Sequence, residues 1–185
     1  MRMKVVALGL IREKVALINA MKVLVMIFAL IASAYIRIWI PFTPVPITMQ
    51  TLVVLVGSAW LRSFLAPLAV SIYILLGLLG LPVLAGGSGI SKIVGATGGY
   101  LIGFVVVSAI ISYVLQKSKS LLFTVLVFSL ASIMILSIGT LFLAINLQLR
   151  IGVAMYLGFL PFLPGDMFKA FLAAGFYKAL IAKYK

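Results

Sequence analysis

The chain has 185 residues, 65% of them apolar and 9% charged, with fifteen Lys and Arg against two acidic residues and a net charge of +13. A soluble domain carries about 25% charged residues, so this composition excludes an ordinary soluble fold and points to one unit lying almost wholly within a membrane. The absence of Cys and His excludes thiol nucleophiles, disulfides, the usual general base and the common zinc and haem ligands.

Two carboxylates, Glu13 and Asp166, leave little for acid–base or two-metal chemistry. An enzyme is not expected. The positive charge invites a nucleic-acid reading, but the basic residues sit in gaps between apolar runs rather than in a stripe. They read as the positive-inside bias of a membrane protein, and no nucleic-acid partner is expected.

Residues 1–20 mix apolar positions with Arg2, Lys4, Arg12 and Lys14. They predict an interfacial amphipathic helix, followed by a first span at about 22–38. Ala32-Ser33-Ala34 is spaced like a signal-peptidase site, but five further apolar segments follow, so cleavage is not expected. Residues 39–48, WIPFTPVPIT, contain Pro41, Pro44 and Pro46. Proline lacks a backbone donor and pushes its predecessor toward extended geometry, so this stretch is not helix. It is also uncharged. Irregular backbone at membrane depth persists where it is buried in protein or lines a cavity.

The second span, about 47–61, is short. Fifteen residues at 1.5 Å each reach about 22 Å, against a hydrocarbon core of about 30 Å. Arg62 marks an interface, and a third span runs over about 63–81. Residues 82–99 hold six of the sixteen glycines. Gly86-Gly87-Ser88-Gly89 and Gly98-Gly99 permit positive φ and close backbone approach to a ligand. The run Gly86–Lys92 resembles a phosphate-binding loop but fails: Ser91 stands where Gly is needed and Ile93 where Ser or Thr is needed. Nucleotide binding is excluded there.

A fourth span is predicted at about 98–115, a basic turn at Lys117 and Lys119, and a fifth span at about 121–145. A sixth, about 165–182, carries Asp166 in its first turn, where a carboxylate meets the positive end of the helix dipole. Lys169 follows three residues later, on the same face. Ionisable residues at membrane depth are costly and are functional-site candidates by default.

Six spans place both termini on one side. That side takes eleven of the fifteen basic residues and the other takes Arg37, Lys92, Arg150 and Lys169, so both termini are expected in the cytoplasm. The long Pro- or Gly-rich connections and the Asp166–Lys169 pair then share the outer face. An outward pocket roofed by loops follows, apolar with a few convergent polar groups.

Three motifs carry a family resemblance: PFTPVPITMQTL at 41–52, GLPVLAGGSG with GATGGYLIGF at 80–104, and PFLPGDMFKAFLAA at 161–174. In that order they resemble the BioY family, the biotin-specific substrate-binding (S) components of energy-coupling-factor (ECF) transporters. The resemblance implies an all-α integral membrane protein of six helices in a prokaryotic plasma membrane. It implies biotin as transported ligand without a cofactor, and partnership with a transmembrane T component and two ATPase subunits. Family S components carry a small-residue Ala-x-x-x-Ala face on the first helix for docking. The match taken here is Ala29-x-x-x-Ser33, with Ala32 beside it.

The Asp and Lys of the family's GDxxK segment fall on Asp166 and Lys169. An ionised Asp accepts a ureido N–H, and Lys pairs with either the ureido carbonyl or the valerate carboxylate. Thr48, Gln50 and Tyr100 are further candidates, Tyr100 serving equally as an interfacial anchor. Gly86, Gly87, Ser88 and Gly99 complete the expected site. Ala85 stands where some family members carry a polar side chain, so backbone N–H groups of this loop are expected to substitute. The competing expectation is a self-sufficient proton-coupled transporter using Asp166. The isolation of that carboxylate, with no second acid or His to relay protons, argues against it.

Overall fold

The structure is a computed structural model that describes residues 2–61, 63–115 and 120–183, with side chains described for 12–61, 63–115 and 120–180. Arg62, Lys117, Lys119 and Lys185, and the side chains of Arg2, Lys4 and Lys183, lie outside that description.

Helix α1 runs unbroken over Arg2–Tyr35. The N-terminal segment and the first span are therefore one helix, not two elements. No proline interrupts it, Gly9 is its one weak former, and Ala, Leu, Lys and Met favour propagation. It ends three residues short of position 38 because the chain turns into strand β1 (Arg37–Ile38). Strand β2 (Ile47–Thr48) pairs antiparallel with it, Arg37 opposite Thr48 and Ile38 opposite Ile47. The Pro-rich residues form the tip of this hairpin. Its backbone is satisfied locally: Thr43 N–H donates to the Ile40 carbonyl and Val45 N–H to the Thr43 hydroxyl, each at 3.2 Å.

Helix α2 spans Gln50–Leu61 and α3 Leu65–Leu78. A long connection follows, holding an isolated antiparallel bridge between Leu84 and Gly87 and the single turn α4 (Ile90–Ile93). Gly86 (φ +91°) and Gly87 (φ +149°) adopt backbone that L side chains avoid. Helix α5 covers Gly98–Val114 and α6 Leu121–Asn146. The stretch expected as a third irregular loop contains an eight-residue helix, α7 (Ile151–Gly158). Helix α8 (Leu163–Lys183) follows.

By length and composition, Arg12–Tyr35 of α1 and all of α6 suffice to cross a membrane, and α7 with α8 up to Leu180 forms a third such unit bent by 49°. The bend falls at Pro161 and Pro164, where helix hydrogen bonding is interrupted. Helices α2, α3 and α5 are apolar but shorter.

The core lies where α1, α2, α3, α5, α6 and α8 converge on Leu30, Val54, Val70, Val107, Phe128 and Ala173, all fully buried. The outer faces carry large apolar side chains, among them Phe28, Leu130, Phe168 and Phe171. In water such a surface would aggregate. Against lipid it is the expected exterior.

Helix α8 shows how the sequence divides these faces. Asp166, Lys169, Ala170, Ala173, Ala174 and Tyr177 are buried, whereas Phe168, Phe171, Leu172 and Phe176 are exposed. That is the helical period with an inverted polarity: the charged pair faces protein and the phenylalanines face out.

Candidate functional site

Asp166 is 3% exposed and Lys169 7%. The Lys169 ammonium donates to Asp166 Oδ1 and to the Thr48 carbonyl, both at 2.7 Å. A buried ion pair persists only when further hydrogen bonds satisfy its remaining valences. Thr48 supplies one of these from β2. Its hydroxyl also accepts the Gln50 N–H at 3.3 Å, capping one orphan donor at the start of α2. Thr51 stands beside the Asp166 carboxylate.

Around this pair lies a cavity offering about 50 Å³ to the centre of a water-sized sphere. One water needs roughly 10–15 Å³ on that measure, so the space holds a few waters. Val45, Pro46 and Thr48 of the hairpin, Gln50 and Thr51 of α2, and Leu84, Ala85 and Thr97 of the α3–α5 connection line it. Tyr100, Leu101 and Phe104 of α5, Ile135 and Leu136 of α6, Phe162, Asp166 and Lys169 complete the wall. The lining is apolar except for a handful of groups that converge, the usual make-up of a small-molecule site.

Of the residues expected at the site, Asp166, Lys169, Thr48, Gln50 and Tyr100 share this one cavity. Tyr100 is buried, and its hydroxyl donates to the Gly158 carbonyl at 2.7 Å. Its ring packs on Gly139, where a Cβ would overlap it. It is a pocket wall and not an interfacial anchor. Gly86, Gly87 and Ser88 are half-buried and do not line the cavity; they follow Ala85 at its rim. Trp39 packs over Gly86, and the Lys92 side chain over Gly86 and Gly87. Gly99 faces away from the cavity. A Cβ there would strike the Phe142 side chain, so its role is close packing of α5 on α6.

The family-level profile of BioY proteins, "BioY family", matches residues 7–185. The chain belongs to the BioY family. Biotin transporter BioY2 of Lactococcus lactis subsp. cremoris (strain MG1363) is 38% identical over 144 residues, covering 77% of this chain and 79% of that protein. Biotin transporter BioY of Thermotoga maritima is 36% identical over 137 residues, covering 73% and 80%. The crystal structure of an S-component for biotin from an ECF-type ABC transporter superposes with a TM-score of 0.84 at 26% identity, over 92% of this chain and 93% of that one. The family is one of transporters, not enzymes, and its all-α membrane fold is the fold seen here. The short hairpin and α7 were not expected from sequence.

The three residues expected to dock a T component differ in exposure. Ala29 is half-buried in an apolar groove with Trp60 and Phe176, and Ala32 is exposed. Ser33 is only 4% exposed and its hydroxyl donates to the Leu30 carbonyl at 2.8 Å. Ala29 and Ser33 thus do not form one outward face. Ala16 and Ala20 have the same four-residue spacing, and both are exposed. Tyr73, whose hydroxyl lies 2.7 Å from the Gln50 amide nitrogen, was not singled out from the sequence; a phenol in the middle of an apolar span was the available sign.

Proposed function

We propose that this chain is a biotin-binding S component of an ECF-type transporter in a prokaryotic plasma membrane. The observation that carries the reading is the buried Asp166–Lys169 pair, built into a cavity whose remaining wall is largely apolar. A lysine ammonium has three donors. Asp166 and Thr48 take two, which leaves one for a ligand acceptor. Asp166 Oδ1 receives Lys169 and Thr51 stands beside the carboxylate, whose two oxygens still have lone pairs for a ligand donor. The pair therefore presents one donor beside one acceptor, the complement of a ureido C=O and its adjacent N–H. The resemblance left Lys169 open between ureido carbonyl and valerate; this arrangement favours the ureido carbonyl.

The proposed topology keeps six crossings with the cavity outward and both termini cytoplasmic. The short helices α2, α3 and α5 let the hairpin and the glycine-rich connection dip toward the pocket. Partnership with a T component and two ATPase subunits is part of the proposal, with Ala16 and Ala20, one turn apart on α1 and both exposed, as the docking surface. Binding of biotin supplies no energy for accumulation, so concentrative uptake depends on those subunits.

Uptake of labelled biotin by cells carrying this chain, with and without a T component and its ATPases, tests the reading. Accumulation is expected only with the full set. Accumulation by the chain alone, abolished by collapsing a pH gradient, would instead establish the proton-coupled reading with Asp166 as carrier.

A further inference from the structure

Gln50 sits at the first turn of α2, lines the cavity and is 3% exposed. Its Nε2 lies 2.7 Å from the Tyr73 hydroxyl of α3. That hydroxyl lies 3.0 Å from the Val83 carbonyl. Tyr73 itself is fully buried.

The directions of these bonds are fixed by chemistry. A carbonyl only accepts, so Tyr73 spends its single hydrogen on Val83. Its oxygen then has only lone pairs to offer. The group facing it must be a donor, which makes it the Gln50 amide nitrogen. Amide orientation is ordinarily assigned from such a network, and here the network leaves one solution. The other end of the amide, Oε1, is turned away from Tyr73. No described residue donates to it, and it is not sealed off as a buried orphan.

We infer that Tyr73 is a positioning residue that polarises Gln50 into an acceptor aimed at the ligand, and that Gln50 thereby reads the second ureido N–H. This rests on the proposed biotin site and deepens it. A cyclic urea presents donor, acceptor, donor along one edge. The protein presents Asp166, Lys169 and Gln50 as acceptor, donor, acceptor. The Thr48 carbonyl that holds the Lys169 ammonium lies two residues before Gln50, and Gln50 lines the same cavity as Asp166 and Lys169. Every group on the edge then has a partner of the right sense. An analogue with an acceptor in place of an N–H meets a lone pair instead.

The test uses the full-length purified chain, biotin, and the two regioisomeric cyclic carbamates in which one or the other ureido N–H is replaced by oxygen. Binding constants are measured for the parent, Gln50→Met, Tyr73→Phe and the double variant. In the parent, both carbamates should bind about 10- to 100-fold more weakly than biotin, since each leaves a buried acceptor unpaired. In Gln50→Met, discrimination against one regioisomer should collapse toward unity while the other, facing Asp166, is unchanged. Tyr73→Phe keeps the ring and frees the amide to turn; it should reduce discrimination against the same regioisomer by about 10-fold. In the Gln50→Met background it should have no further effect on that ratio.

A merely structural Tyr73 would weaken biotin and both carbamates in parallel, leaving both ratios at the parent value, and that result overturns the inference. So does Gln50→Met with both ratios unchanged. If the parent fails to bind biotin at all, the site reading itself falls and the inference with it. If it binds biotin with unaltered ratios in the variants, the site stands and only the inference falls.

Discussion

The Lys169 ammonium lies 2.7 Å from the backbone carbonyl of Thr48, a residue 121 positions earlier in the chain. A proline-rich hairpin and the last helix are thereby joined at the one buried charge pair among the described residues. The contact fixes where the lysine's remaining donor points, and it makes the hairpin part of the site rather than a cover over it.

The enclosed part of the cavity holds a few waters, so on the proposed reading biotin entry displaces part of the roof. Trp39 packs over Gly86 at the rim. Trp60, at the other end of α2, is the other tryptophan of the chain. In a Trp60→Phe variant, biotin should change the emission of Trp39 saturably, at the same midpoint as calorimetric binding. Emission unaffected by saturating biotin would show that the rim does not move.

Much of this arrangement is legible in the sequence, and the reasons are specific. Asp166 is an acid in an apolar run, and Lys169 shares its helical face, so the pair stands out by cost alone. Pro41, Pro44 and Pro46 preclude helix wherever they occur. What cannot be seen is which carbonyl takes a given donor. Thr48's link to Lys169 and Tyr73's link to Gln50 depend on packing between helices far apart in sequence. Helix α7 was hidden because Asn146, Gln148 and Arg150 before it and Pro161 and Pro164 after it suggested a loop throughout. Ser33 is a small residue at the expected spacing that falls on the buried side of α1, which spacing alone does not reveal.

Gly139 tests the wall of the pocket. An alanine there would place its Cβ against the Tyr100 ring. Overpacking of this kind costs about 1–3 kcal/mol. Gly139→Ala should lower the thermal midpoint in detergent and weaken biotin binding together, because Tyr100 must move. A variant with parent stability and affinity would show that Tyr100 has room to yield.

The docking surface gives a contrast between neighbours on one helix. Ala16→Leu and Ala20→Leu should prevent co-purification with a T component while leaving biotin affinity intact, since both sites are exposed and close helix approach needs small residues. Ser33→Leu should instead lower thermal stability, because the site is buried. Loss of folding in the alanine variants, or unaffected assembly, would move the interface elsewhere.

Biotin and its amide separate the two roles open to Lys169. If the ammonium meets the ureido carbonyl, Lys169→Met should weaken both ligands alike and keep whatever preference the parent shows for the acid. Disappearance of that preference in the variant would assign Lys169 to the valerate.

The most direct measurement is calorimetric titration of the purified chain with biotin, repeated for Asp166→Asn, Lys169→Met and the double variant. Saturable single-site binding is expected in the parent. Each single substitution should weaken it by about 1.5–3 kcal/mol, roughly one to two orders of magnitude, because charge-assisted bonds are lost inside a buried site. The double variant should fall well short of the sum, since both residues hold one ligand and each other. Parent-like affinity in both single variants, with the fold intact by thermal melting, would contradict the assignment and leave the pair a structural salt bridge.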